Sequence, residues 1–249
     1  MPTEWTFYAF AIPAVILVGL AKGGFSGLGA LGMPLLALAL PPVQAAAILL
    51  PILIVQDAVG VWAFRKTWDG HVLAVTLPGA ALGILLGWLL AARVSADAVL
   101  VAVGAISILF GSYRLWVERH GAITASSRSP GWVGAIFGAV SGFTSQIAHA
   151  GAPPFQMWVM PRRLPRDIFI GTNAIFFAAV NWLKVPAYAA LGQFTRANLL
   201  ATASLLPVAI LSTFAGVWLV RRVSGERFYV VVYLLMIALG AKLLWDALA

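Results

Sequence analysis

Long stretches of this chain carry no formal charge: none falls between Lys22 and Asp57, Asp69 and Arg93, Asp97 and Arg114, Arg128 and Arg162, Asp167 and Lys184, or Arg196 and Arg221. Several of these gaps exceed the ~20 residues that a membrane-spanning helix needs. Inside them apolar residues occupy every face, whereas a membrane barrel alternates apolar and polar residues in ~10-residue strands. The pattern therefore predicts an all-α protein. The apolar segments lie at about 5–21, 28–40, 44–64, 72–92 and 97–117, then at 131–146, 152–160, 167–190, 197–220 and 227–248. The second of each set is short: thirteen and nine helical residues reach about 20 and 14 Å, against a hydrocarbon core of about 30 Å. Each reads as a re-entrant half-helix that turns back after a glycine-rich break.

The two sets repeat one another. Pro78, Gly87, Gly111 and Trp116 meet Pro207, Gly216, Gly240 and Trp245 at a constant offset of 129, while Gly19, Gly23, Ser26, Gly32 and Pro34 meet Gly138, Gly142, Ser145, Gly151 and Pro153 at 119. So many coincidences at one offset mark an internal duplication: an N-terminal repeat over 1–117, a polar linker over 118–130 and a C-terminal repeat over 131–249. Basic residues orient them. In the first repeat the basic loops hold Arg65 and Lys66, then Arg119 and Arg128; in the second they hold Arg162, Arg163 and Arg166, then Arg221, Arg222 and Arg227, at loops that are sparse in the first. The positive-inside bias thus assigns the repeats opposite orientations, with a cytoplasmic linker and both termini outside. The expectation is a polytopic transmembrane helical bundle of two inverted-topology repeats with five segments each, an arrangement common among secondary transporters.

Composition removes the alternatives to a membrane protein. Of 249 residues 62% are hydrophobic before the 24 glycines are counted, and only 10% are charged, against roughly 45–50% apolar with glycine and about 25% charged in soluble domains. The first apolar run lacks the basic flank and cleavage site of a secretory signal and reads as a retained helix. The absence of cysteine excludes disulfides and thiol chemistry. The net charge of +8 comes from short loops, so nucleic acid is not an expected partner. No cofactor is expected, because the histidines are scattered and no carboxylates cluster near them. Trp62, Trp68, Trp88, Trp116, Trp158, Trp218 and Trp245 stand near segment ends, as in an interfacial aromatic belt.

Candidate chemistry gathers at the two breaks. The first reads Lys22-Gly23-Gly24-Phe25-Ser26-Gly27, and its glycines weaken a helix by about 1 kcal/mol each. The second contains Ser141, Thr144, Ser145, Gln146 and His149. Irregular backbone at membrane depth is tolerated only where protein buries it or a wet cavity borders it. A short helix follows each break, so its free N–H groups, Lys22 and the hydroxyls of Ser26, Thr144 and Ser145 form an expected anion cradle. Close helix packing by the glycines is the competing reading. Lys22 is the strongest single candidate, because an ionisable group inside a membrane is functional by default. Asp57 either pairs with Lys22 or carries a proton. His149, the one histidine in apolar surroundings, is a second candidate for proton handling. Lys184, Asn181, Thr172 and Asn173 either line a polar cavity or bond between helices. A homodimer through Gly79, Gly83 and Gly87 is possible.

Gly24-Phe25-Ser26-Gly27 also has the form of the serine motif of intramembrane rhomboid proteases, but the twin Ser145 at the second break suits paired hydroxyls better than a single nucleophile. The glycine-rich first break with Gly32-Met33-Pro34, the run from Gly79 to Gly87 with Arg93 after it, Gly171-Thr172-Asn173, Pro186-Ala187-Tyr188 and Leu191-Gly192-Gln193 together resemble the sulfite exporter TauE/SafE family. The resemblance covers nearly the whole chain. It implies a permease of the bacterial inner membrane for small sulfur-containing anions such as sulfite or organosulfonates. The sequence thus points to a secondary transporter that is not an enzyme, holds its anion between the breaks and couples to a proton through Asp57 or His149, with a passive anion channel as the alternative. Rocking of one repeat against the other would give alternating access.

Overall fold

A computed structural model describes residues 5–25, 28–91, 93, 95–120, 129–220, 222 and 226–248. The first repeat comprises α1 (Trp5–Lys22), a 3-10 turn (Leu28–Leu31), α2 (Gly32–Ala37), α3 (Pro42–Phe64), α4 (Gly70–Ala91) and α5 (Ala96–His120). The second comprises α6 (Gly131–Ala148), α7 (Ala152–Val159) with a 3-10 turn (Met160–Arg162), α8 (Arg166–Ala190), α9 (Arg196–Val220) and α10 (Glu226–Leu248). Six of these helices are long and apolar enough to cross a membrane. The outer surface fits that setting: Leu82, Leu109 and Leu211 are 61%, 70% and 70% exposed, a surface that water would not support but acyl chains would.

Each short helix folds back on the one before it. Gly29 lies against Ala21 and Gly32 against Val18, so the first turn and α2 run antiparallel to α1. In the second repeat Gly151 lies against Ser141 and Ser145, and Gly134 against the ring of Trp158. Both half-helices are therefore re-entrant. The first is shorter than expected, ending at Ala37, and divides into a four-residue 3-10 turn and a six-residue α-helix. The second break also shrinks: α6 continues through Ala148, leaving only His149, Ala150 and Gly151 outside a helix. Ser141, Thr144 and Ser145 do not unwind α6, because they satisfy their hydroxyls locally. Ser141 Oγ donates to Gly151 O at 2.6 Å, and Thr144 Oγ1 lies 2.8 Å from Val140 O and 3.0 Å from Ala150 O. The linker is shorter than expected at its start, since α5 runs through His120.

Contacts between helices fix the relative direction of the repeats. Gln56 Nε2 donates to Val15 O, and Gly60 meets Lys22 O, so α1 and α3 run in parallel from one face, A, to the other, B. Gly171, near the start of α8, meets Thr67 O and Phe64 O at face B. There too Gly131, the first residue of α6, touches Val75 near the start of α4. The first repeat thus begins at face A and the second at face B, the inverted arrangement expected. The two are related by a pseudo-twofold: Gly104 meets Gly240 and Gly111 meets Tyr233, and the offset of 129 carries one contact into the other.

The most extensive packing runs between the repeats. Gly138 and Gly142 of α6 press on Thr76 O and Ala80 O of α4, and the equivalent Gly19 and Gly23 of α1 press on Ser212 and Gly216 of α9. Small residues permit this backbone-to-backbone approach where lipid offers no hydrophobic drive for association. One expectation changes as a result. The face of Gly79, Gly83 and Gly87 is covered by Ala135, Ala139 and Gln146 of the same chain, so it is not open to a second copy. The repeats also pack along α5 and α10, where Gly104 meets Gly240. Trp158 likewise leaves the interfacial belt: it is 3% exposed, packed on Gly134 beneath the Arg162 guanidinium.

Candidate functional site

The two breaks meet at one cavity of about 70 Å³. Ala21, Lys22, Gly29 and Ala30 supply one wall, while Ser145, His149, Ala152 and Gln156 supply the other. Val18 of α1, Leu53 of α3 and Asn173, Phe177 and Asn181 of α8 complete the lining. The site thus draws on both hairpins and on the two long helices that cross between them.

Lys22 ends α1 and reaches across to Asp57 of α3, where its ammonium donates to Oδ1 at 2.5 Å. Asn181 Nδ2 donates to Oδ2 of the same carboxylate at 2.6 Å. Asp57 is 1% exposed and satisfied at both oxygens, so its charge is offset within the protein. Of the two readings of Asp57 from sequence, a partner for Lys22 or a proton carrier, the pairing is the one this geometry displays. The Lys22 ammonium also lies 5.2 Å from the centre of the Phe177 ring, and its remaining N–H groups are available at the cavity.

A second lysine stands behind the opposite wall. Lys184 of α8 is 0% exposed. Its ammonium lies 3.2 Å from Ser145 O, 3.1 Å from Ser145 Oγ and 2.7 Å from His149 Nδ1. His149 Nε2 lies 2.9 Å from Ala46 O. A carbonyl only accepts, so Nε2 carries the ring proton and Nδ1 is left as an acceptor. Lys184 thus meets three polar groups, which satisfy its amine without water. Ser145 Oγ lies between the Lys184 amine and the cavity that Ser145 lines. His149 itself is held in the left-handed region, at φ 50°, a conformation uncommon for a residue with a β-carbon.

Other sequence candidates fall elsewhere. Gly23 packs on Gly216, and Gly24 adopts φ 128° beside Val220 and Ile170; neither borders the cavity. Ser26 and Gly27 lie outside the described residues. Ser141 and Thr144 fasten the α6–α7 hairpin rather than face the cavity. Gln146 lies against Gly87 and borders a second cavity, about 110 Å³, with Val43, Ala46, Tyr188 and Gln193; no charged side chain lines it. Thr172 accepts from the backbone N–H of Asp69, outside the cavity. The N-terminus of α7 is a poorer anion donor than expected, since Pro153 and Pro154 remove two of its first N–H groups. Gln156 was not singled out from sequence. Its signal was its place on a half-helix otherwise apolar from Phe155 to Met160.

The Ser141 clamp gives a modest prediction. Ser141→Ala removes the bond to Gly151 O, worth about 0.5–1.5 kcal/mol net. Thermal unfolding in detergent should show a slightly lower midpoint with anion binding retained.

Inverted helical repeats around a charged cavity place the chain in the architectural class that many membrane permeases share. The chain belongs to the sulfite exporter TauE/SafE family, whose model matches residues 11–243. No curated protein and no solved structure matches it.

Proposed function

We propose that the protein is a secondary transporter of small sulfur-containing anions, with the anion held in the cavity between the two breaks. The observation that carries this reading is the composition of that cavity and of the groups behind its walls: the Lys22 ammonium held by Asp57, the Ser145 hydroxyl backed by the buried Lys184, and the amides of Asn173, Asn181 and Gln156, drawn from both repeats. Family membership supports sulfur oxyanions as the class. Lys22 contributes charge and free N–H donors, Ser145 a hydroxyl proton, and Asn173 and Gln156 amide groups. No nucleotide-binding motif is present in the sequence, so an ion gradient or the substrate's own gradient supplies the drive. Asp57 or His149 holds a coupled proton; transport indifferent to a pH gradient would refute that part.

The packing supports a different division into moving parts from the sequence repeats. The α1–α2 hairpin is locked to α9, and the α6–α7 hairpin to α4. Alternating access then comes from motion of these two units about α3 and α8. Basic residues orient the protein in the bacterial inner membrane. Arg65, Lys66, Arg162, Arg163 and Arg166 all lie at face B, which makes that face cytoplasmic and both termini periplasmic.

Equilibrium binding to the purified protein tests the reading, using sulfite, thiosulfate, sulfoacetate, taurine, sulfate and acetate, with Lys22→Ala as the comparison. Selective binding of a sulfur anion, weakened at least tenfold in the variant, is the expected result. Equal binding by the variant would make Lys22 purely structural.

A further inference from the structure

The cavity between the breaks and the uncharged cavity beside Tyr188 lie in series along the bundle. The first is at the level of Leu53 and Phe177, midway along α3 and α8. The second is lined by Val43 at the start of α3, Gly87 toward the end of α4, Val99 near the start of α5, and Leu191 and Gln193 just after α8, all at face A. The tip of the α6–α7 hairpin divides them: Ser145 and His149 line the first cavity, and Gln146 and Ile147 the second, together with Ala46. Gln146 Oε1 is buried with no protein partner, and water in the second cavity would satisfy it. Ser141 and Thr144 fasten the hairpin within itself. Toward α8 its tip is held by Lys184, at Ser145 and His149, and by the Tyr188 hydroxyl, which donates to Gln146 O at 3.2 Å. Toward α3, among the described residues, the tip makes one hydrogen bond, from His149 Nε2 to Ala46 O at 2.9 Å. The counterpart of His149 at the offset of 119 is Ala30, whose methyl group can make no such bond.

From this arrangement we infer that the uncharged cavity is the face-A vestibule of the transport path, that the hairpin tip over 145–149 is the gate between it and the central cavity, and that His149 latches this gate through its bond to Ala46. The inference rests on the alternating-access reading and is independent of which anion is carried. Opening takes the tip away from α3, which breaks the His149–Ala46 bond while the contacts of the tip to α8 persist. The vestibule has no charged side chain on its walls, so it passes an anion without holding it. The Lys22 ammonium holds the anion once it reaches the central cavity.

The chain has no cysteine, so a single introduced thiol reports access without background. Leu53→Cys places one in the central cavity and Gln193→Cys one in the vestibule. Each is labelled in sealed membrane vesicles of either orientation with sulfonatoethyl methanethiosulfonate, an anionic reagent that does not cross lipid. Gln193→Cys should react from one side only, which marks face A. From that side Leu53→Cys should react at least tenfold faster when combined with His149→Gly, because glycine fits the left-handed turn and lacks the ring. His149→Asn also suits that turn and keeps a polar group toward Lys184, but it is too short to reach Ala46. It should give the same acceleration, and it decides the matter if His149→Gly does not fold. Ser141→Ala loosens the hairpin away from the latch and should leave the rate at Leu53→Cys unchanged. An unchanged rate in either His149 variant, an equal acceleration in Ser141→Ala, or a Gln193→Cys that reacts from neither side or from both would overturn the gate while leaving anion binding to the panel above. A panel in which no anion binds, with the labelling as expected, would remove the anion and leave the gate.

Discussion

Asp57→Ala should lower stability by about 3–5 kcal/mol, the cost of stranding one member of a buried ion pair. Two donors converge on this carboxylate, Lys22 Nζ and Asn181 Nδ2, and both Asp57 and Asn181 are buried away from water. With roughly 2–4 °C of midpoint per kcal/mol in a chain of this size, the melting temperature in detergent should fall by on the order of 10 °C. The double variant Lys22→Met with Asp57→Leu removes both charges and should recover most of that loss, because a buried pair is often no more stable than apolar residues of similar volume. The same double variant should bind anion poorly, having lost the Lys22 donors. Stability recovered without binding would separate the pair's structural and functional roles. A double variant as unstable as Asp57→Ala would contradict the account of the pair.

Gly83→Leu should prevent assembly of the fold. A β-carbon at Gly83 would fall 1.9 Å from Ala139 O and 2.7 Å from the backbone nitrogen of Phe143. The obstacles are backbone atoms of a helix, which cannot rotate aside as a side chain can, so the cost goes beyond the 1–3 kcal/mol typical of overpacking. Helices α4 and α6 would have to separate, and with them the two repeats. Size-exclusion chromatography should show loss of monodisperse protein, whereas Leu82→Ala, one position away and 61% exposed to lipid, should elute normally. Normal elution of Gly83→Leu would place the α4–α6 contact elsewhere.

Much of this architecture is legible in the charge gaps and the duplication, because in lipid each spanning segment must be a long apolar helix and little else is allowed. The inverted direction of the repeats also follows from where Arg65, Lys66, Arg162 and Arg163 fall. What eluded the sequence depends on contacts across the duplication. Gly79, Gly83 and Gly87 have the pattern of an association face, but nothing local says whether the partner is another chain or α6. Ser141 and Thr144 look like helix breakers, yet inside a membrane helix their hydroxyls bond to nearby carbonyls and fasten the hairpin. The Lys22–Asp57 pair is readable from the scarcity of charge around each residue. The meeting of Lys184 with His149 is not, because it depends on the left-handed turn at His149 that swings the ring toward α8.

The central claim is that an anion sits between the two breaks, and anomalous diffraction from crystals grown with selenite, a shape analogue of sulfite, tests it most directly. The account predicts a selenium peak in the cavity beside Lys22 and Ser145. A peak only in the uncharged cavity near Tyr188 and Gln193, or no peak within the helical bundle, would contradict it.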